Sequence, residues 1–254
     1  MHILVTNDDG VQAPGLLALV QKLQGLADVS VVAPNRNWSA SGHVKTMHRP
    51  LRAYQTELAD GTVAWTTDGA PSDCVALALL GLIDRKVDLL VSGINPTANV
   101  GYDVTYSGTV TAAMEGAINH VPSMAISLDT PDTLAGGVDF TGAAEIGAVL
   151  AERLLNLEPS GFTLLNINVP YGKSAQEAEY SLTRQGQRVY QDKLVERFDP
   201  RGRPYYWIGG DPPTGVDEAG TDIGALAHSI VSITPLQLDL TDYQATKNLT
   251  DLVY

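Results

Sequence analysis

Short apolar runs alternate with segments of helical spacing over the first 170 residues. The run HILVTN at 2–7 stops abruptly at Asp8, Asp9 and Gly10. Residues 14–26 then place Leu16, Leu19, Val20 and Leu23 on one helical face. Pro14 suits the first turn of that helix, where its missing N–H leaves no bond unmade. Residues 28–33 (DVSVVA) read as a second strand, followed by a polar loop to about residue 50. Residues 51–56 and 62–67 read as short strands of a hairpin turning at Asp60-Gly61. A helix is predicted over 70–83, with Pro71 near its start, and a third buried strand over 88–93 (DLLVSG). A Gly-rich loop leads into a small-residue helix, TVTAAMEGAINH. Beyond it lie a strand at 123–128, a helix at 139–157 and a strand at 162–169. Strands this uniformly apolar, alternating with helices, predict an α/β fold with a mostly parallel sheet covered on both faces.

The pattern breaks after Pro170. Residues 171–225 are polar, rich in Gly, Pro, Tyr and Arg, and without helical period; they read as loops and a β-hairpin arm. Order returns in HSIVSITPL at 228–236, a strand, before a polar tail. The expectation is a catalytic core over 1–170 and a C-terminal arm and oligomerisation segment over 171–254, with the 228–236 strand returning to the core. At 254 residues and 44% hydrophobic, the chain buries a core of one large domain. No run approaches the ~18 apolar residues of a membrane span. MHILVTNDDG lacks a basic signal-peptide start. A cytoplasmic location with no membrane partner is therefore the default. The single cysteine, Cys74, excludes an intrachain disulfide and reads as a small buried hydrophobe. The sequons at Asn37 and Asn248 are coincidental without a secretory signal. A formal net charge of −13 argues against a nucleic-acid polymer as partner.

In open α/β sheets, ligands bind beyond the carboxyl ends of the parallel strands. That rule selects three loops. The first carries Asn7, Asp8 and Asp9; the second Ser39, Ser41 and His43; the third Asn95, Asn99 and Ser107-Gly108-Thr109. Their donors are carboxylate, amide and hydroxyl oxygens, which suit Mg2+ or Mn2+ better than zinc. Adjacent carboxylates after a buried strand repel each other unless a divalent cation compensates. Either the pair holds a metal, or one of them caps the next helix. Ser107, Gly108 and Thr109 precede a helix, so they form either an anion cradle or an ordinary N-cap. Asn7, Ser41, His43 and Asn99 are further candidate substrate contacts. Tyr205, Tyr206 and Trp207 either stack on a base or pack an oligomer interface, and packing is the better reading. The loops contain neither a Walker A motif nor a G-x-G-x-x-G after the first strand.

Seven ordered blocks carry a family resemblance: NDDG (7–10), APNRNWSASG (33–42), RPLR (49–52), GAPSDCV (69–75), SGIN (92–95), NVGYDVTYSGTVTAAMEG (99–116) and GTD…SITPLQLDLTDY (220–243). Together they resemble the SurE family of stationary-phase survival proteins, which have nucleotidase and phosphatase activity. The resemblance implies a Rossmann-like three-layer core with a C-terminal arm exchanged between subunits. It also implies hydrolysis of nucleoside 5′- and often 3′-monophosphates, and in some members of short polyphosphate. The implied cofactor is one Mg2+ or Mn2+ per subunit, held by Asp8, Asp9, Ser39 and Asn95. Ser107, Gly108 and Thr109 match the family's phosphate-binding residues. The chain departs from the family pattern at Asn95-Pro96-Thr97, where many members have Asn-x-Gly. It departs again at Ser39-Ala40-Ser41-Gly42, where many have Ser-Gly. Both changes alter loop shape and bear on substrate preference.

The expected catalytic set is Asp8, Asp9, Asn95 and Ser107. A carboxylate either takes a proton from attacking water or attacks phosphorus itself, and direct attack by water is the favoured reading. A nucleotide-binding module without catalysis is the rival of another class; a nucleotide-sugar transferase would need a larger acceptor domain. The apolar and aromatic residues of the arm have no periodicity with which to fold onto their own core, so they predict a homodimer or homotetramer. Light scattering at micromolar concentration tests this, with a stable monomer counting against it.

Overall fold

The computed structural model describes residues 1–157, 163–249 and 252. Residue 162, the first of the predicted 162–169 strand, and Thr250, the last of the second sequon, lie outside them. Nine strands form one sheet in the order β3-β4-β2-β1-β5-β6-β7-β11-β8. These strands are β1 His2–Thr6, β2 Asp28–Pro34, β3 Ala53–Glu57, β4 Val63–Thr67, β5 Leu89–Asn95, β6 Ser123–Asp129, β7 Leu164–Pro170, β8 Tyr180–Leu182 and β11 Val231–Pro235. The central pairs β4-β2-β1-β5-β6-β7 are all parallel. β3 and β11 join antiparallel. β1 and β5 are buried along their whole length, as strands covered on both faces must be. Their side chains alternate between two cores. Ile3, Val5, Leu89 and Val91 face one, and Leu4 and Leu90 face the other.

Helices α1 Pro14–Leu23 and α4 Thr141–Asn156 pack together on the first core. α2 Pro71–Leu77 and α3 Gly108–Ile118 pack together over the second. The result is a three-layer α/β/α core. Gly15 lets α1 touch the sheet: a Cβ there would stand 2.2 Å from the Ile94 carbonyl oxygen. The helix predicted over 70–83 is regular only to Leu77. It continues as a wider turn over Ala78–Leu82, broken by Gly81 at φ 121°.

The C-terminal segment does not stand apart from the core. β11 pairs with β7, and β8 extends the same sheet beyond it. Between them projects a two-stranded hairpin, β9 Arg188–Phe198 and β10 Pro204–Gly215. Two short helices, α5 Asp222–Ala227 and α6 Tyr243–Asn248, lie where loop and tail were expected. Each is a six-residue element, too short to show a helical period, and is marked only by its cap. Thr221 Oγ1 accepts from the Gly224 N–H, and Asp242 Oδ1 accepts from the Gln244 and Ala245 N–H groups. The hairpin exposes Leu194, Phe198, Trp207 and Ile208, the last at 84%. No helix among the described residues is long and apolar enough to cross a membrane.

Candidate metal and phosphate site

Strand order reverses at β1: β2 follows it on one side, and β5, β6 and β7 run outward on the other. A crevice forms at the carboxyl ends of strands at such a switch point. β1 delivers Asp8 and Asp9 there, and β5 delivers Asn95. Asn7 ties the turn between them. Its Nδ2 donates to the Gly10 carbonyl at 3.0 Å and its Oδ1 accepts the Gly10 N–H at 3.2 Å. Gly10 has φ 106°, a conformation that glycine adopts without strain. Asn7 is fully buried, so the residue expected to contact substrate instead shapes the acidic turn.

Asp8 is 3% exposed. Its Oδ1 accepts the Thr109 hydroxyl at 2.5 Å. A Cβ on residue 108 would meet Asp8 Cβ at 2.7 Å and Oδ2 at 2.8 Å, so Gly108 is required by this approach. Burial pushes the Asp8 carboxyl up, against the pull of the Thr109 hydrogen bond. Asp9 is pushed up to about 6, first by burial and then by the charge of Asp8, while Asn37 Nδ2 donating at 3.2 Å pulls it down. Two carboxyls raised in this way are what a bound cation would relieve.

The other expected donors converge on the same place. Asn95 Nδ2 donates to the Thr97 carbonyl at 2.6 Å and to Thr97 Oγ1 at 3.1 Å. Its amide nitrogen is thus occupied and its oxygen is left as the available ligand atom. A cleft of about 330 Å3 is lined by Asp8, Ser39, Asn95, Asn99 and Ser107 from the expected set. Ser107 caps α3, its Oγ accepting the Val110 N–H at 3.1 Å. Its hydroxyl proton is still free to donate. The Thr109 hydroxyl proton is committed to Asp8, so Thr109 positions that carboxylate and does not itself line the cleft. Among the described residues no three or more His, Cys, Asp or Glu side chains gather as a metal cluster. Asp9 is not among the residues lining the cleft; Asp8, Ser39 and Asn95 bring one carboxylate, one hydroxyl and one amide oxygen to it, donors of the kind a hard cation takes.

Asn99 is held by residues that sequence reasoning did not single out. Its N–H donates to Asn168 Oδ1 at 2.8 Å, and its carbonyl accepts from Asn166 Nδ2 and Asn168 Nδ2. Its own Nδ2 donates to Ser127 Oγ at 2.8 Å. Polar side chains inside the apolar strands β6 and β7 were the available signal. Buried amides demand partners.

The second loop is clamped along α3. The Trp38 N–H donates to the Asp8 carbonyl at 2.7 Å, and the Gly42 N–H donates to the Tyr106 carbonyl at 2.9 Å. The Ser41 hydroxyl is buried without a partner among the described residues. His43 and Lys45 both reach Glu115, at 3.2 Å and 2.9 Å. His43 therefore sits on the outer part of α3 and outside the residues lining the cleft. Thr46 is held by Asp73 through its N–H and its hydroxyl.

The positive charge comes from the arm. Arg188, the first residue of β9, lines the cleft beside Asp103 and Tyr106. Its Nε donates to Asp103 Oδ2 at 2.7 Å, and the Tyr190 hydroxyl donates to Asp103 Oδ1 at 2.7 Å. Its two terminal nitrogens make no hydrogen bond among the described residues. No short motif marked Arg188, because it lies about 80 residues beyond the loop it joins.

The protein-family model described as "Survival protein SurE" matches residues 3–192. The 5′-nucleotidase SurE of Herpetosiphon aurantiacus is 49% identical over 254 residues, covering 100% of this chain and 99% of that protein. The 5′-nucleotidase SurE of Chloroflexus aggregans is 50% identical over 252 residues, covering 98% of each. The crystal structure of the SurE protein of Aquifex aeolicus superposes with a TM-score of 0.83 at 36% identity, covering 100% of both chains.

The Glu115 clamp gives a test by pH. The hydrogen bond from His43, with the ion pair to Lys45, holds the Glu115 carboxyl down at about 2 against an ordinary 4.5. A carboxyl lower in the folded state contributes stability above its unfolded pKa and loses it as pH falls. Thermal melts should therefore show the parent losing its advantage over Glu115→Gln between about pH 4.5 and pH 2. A constant gap across that window would show that the clamp carries no proton linkage.

Proposed function

The chain belongs to the SurE family, and from that premise we propose that it is a 5′-nucleotidase using one Mg2+ or Mn2+ per subunit. The reaction is hydrolysis of nucleoside 5′-monophosphates to nucleoside and phosphate. 3′-Monophosphates and short polyphosphate belong to the same proposal as secondary substrates. A homodimer or homotetramer in the cytoplasm is proposed with it, and the exposed apolar face of the hairpin supports the association.

The observation that carries this reading is the Asp8 carboxylate, buried between the end of β1 and the first turn of α3. Buried charge of this kind is costly unless paired. Asp8, Asp9, Ser39 and Asn95 would hold the cation. When bound, the cation supplies a Lewis acid that draws charge from the phosphoryl group and lowers the pKa of water.

The chain's own residues then divide the remaining work. The Ser107 hydroxyl, the N-terminal end of the α3 dipole and the Arg188 guanidinium bind the non-bridging oxygens. Asp8 is poorly placed to act as a nucleophile. Its Oδ1 is bonded to Thr109 and its Oδ2 is packed against Gly108. Asp9, half-buried with one oxygen held by Asn37, is the proposed acceptor for the proton of attacking water. Asn99, fixed through its backbone, offers its side-chain oxygen to the cleft.

A phosphate-release assay tests the proposal. Excess chelator should abolish release and Mn2+ or Mg2+ should restore it. Asp8→Asn should remove most activity, because an amide is near-isosteric but a weaker ligand. Thr109→Val should raise the metal concentration needed for half-maximal activity roughly 10–100-fold, as loss of a ligand-orienting hydrogen bond does. Full activity in excess chelator, or in Asp8→Asn, would sink the metal-site reading.

A further inference from the structure

Asp222, the first residue of α5, is fully buried. Its carboxylate is met by backbone N–H groups from three places. Oδ2 accepts from Gly101 at 2.8 Å, and Oδ1 accepts from Gly186 at 2.7 Å and from its own neighbour Ile223 at 2.8 Å. The helix does not need this side chain as its cap, because Thr221 already accepts the Gly224 N–H. A buried carboxylate is costly unless its oxygens are satisfied, and N–H bonds to a charged acceptor are stronger than neutral ones. Asp222 therefore ties Gly101 to Gly186.

Close contact reinforces the tie. Gly101 has φ 54°, and a Cβ there would stand 2.5 Å from the Gly186 carbonyl oxygen and 3.5 Å from the Arg188 nitrogen. The Gln185 side chain donates to the Gly101 carbonyl at 2.9 Å. Each segment leads into a group that lines the cleft. From Gly101 a short helical turn, Gly101–Thr105, leads to Ser107, whose N–H donates to the Asp103 carbonyl at 3.1 Å. From Gly186 the chain passes through Gln187 to Arg188. Arg188 thus has two anchors on one loop. Asp103 turns its side chain, and the seam between Gly101 and Gly186 sets its backbone.

We propose that Asp222 is a positioning residue for Arg188. It fixes the start of β9 against the loop 101–107, which keeps the terminal guanidinium nitrogens in the cleft that Ser107 also lines. Asp103 alone turns the Arg188 side chain but leaves the strand that carries it free to shift. The proposal rests on the phosphate-binding reading of Ser107 and Arg188 above, and adds that α5 takes part in holding them together.

A double-mutant cycle on the full chain tests this. Asp222→Asn keeps the shape but turns one oxygen into a donor, so at least one of the three N–H groups loses its acceptor. Affinity for inorganic phosphate in Mg2+ is followed by phosphorus NMR. Phosphate release gives kcat and KM for a ribonucleoside 5′-monophosphate, and all measurements are made below the onset of melting. Asp222→Asn should weaken phosphate binding and raise KM about tenfold with kcat changed much less, the scale on which a misplaced binding group is felt. Arg188→Ala should do the same. The double variant should be no worse than Arg188→Ala, whereas independent losses would combine to about a hundredfold. Gln185→Ala, at an exposed position of the same seam, should weaken phosphate binding about threefold, as loss of one hydrogen bond does. Its effect should also vanish in the Arg188→Ala background, and it decides the matter if Asp222→Asn does not fold. Additive losses in the double variants, or an unchanged phosphate affinity with a lowered Tm, would overturn the positioning role and leave Asp222 a tie for α5 alone. Failure of the unmodified chain to release phosphate from the nucleotide, with the binding cycle as expected, would overturn the phosphatase reading and not this one.

Discussion

Everything at the site depends on one buried carboxylate. Asp8 lies where β1 meets the first turn of α3, and its charged form is disfavoured by burial. Two features make the position tolerable. Thr109 donates to Oδ1, and Gly108 has no side chain to collide with the carboxylate. The short run Ser107-Gly108-Thr109 thus has three separate physical roles: helix cap, close approach and orientation of the Asp8 carboxylate. A larger residue at 108 would separate the strand from the helix, and a residue without a hydroxyl at 109 would leave the carboxylate unheld.

Around that contact the loops are fixed by polar side chains rather than by apolar packing. Asn99 is gripped through its backbone by Asn166 and Asn168, and the loop bearing Ser39 is tied to α3 and α2 through Glu115 and Asp73. Such networks rigidify a site because each buried donor and acceptor has one satisfactory arrangement. They also let an irregular loop lie over a sheet edge without burying unpaired backbone. The glycine of SGIN has a related role. Gly93 has φ 143°, and a Cβ there would sit 2.4 Å from the Ile126 carbonyl. It therefore allows β5 and β6 to approach just before Asn95.

The acidic balance of the chain, −13 overall, raises the question of how an anionic ester is accepted. The local positive charge is the N-terminus of α3 and the guanidinium of Arg188, to which the proposed cation would add. Arg188 is itself pinned by Asp103, so its Nε is occupied while its terminal nitrogens stay available. The hairpin is then more than an attachment to the core. Its first residue lines the cleft with a positive charge, and its strands expose an apolar face.

Local pattern determined a large part of this protein. Periodicity in HILVTN, DVSVVA and DLLVSG was enough for a covered parallel sheet, because strands buried on both faces have no polar alternation. The position of Asp8 and Asp9 directly after the first of them was enough to place acidic chemistry at the sheet edge. α5 and α6 were not legible, since six residues cannot display a period of 3.6. The roles of Asn7, Thr109 and His43 were also decided only by the folded chain. Their residue types suit substrate contact, yet Asn7 spends both amide atoms on Gly10, Thr109 its proton on Asp8, and His43 a ring nitrogen on Glu115. Partner choice among polar groups depends on which elements meet in space. The same holds for Arg188 and Asp222, which lie far from Asp103 and Gly101 in sequence and reach them only in the folded chain.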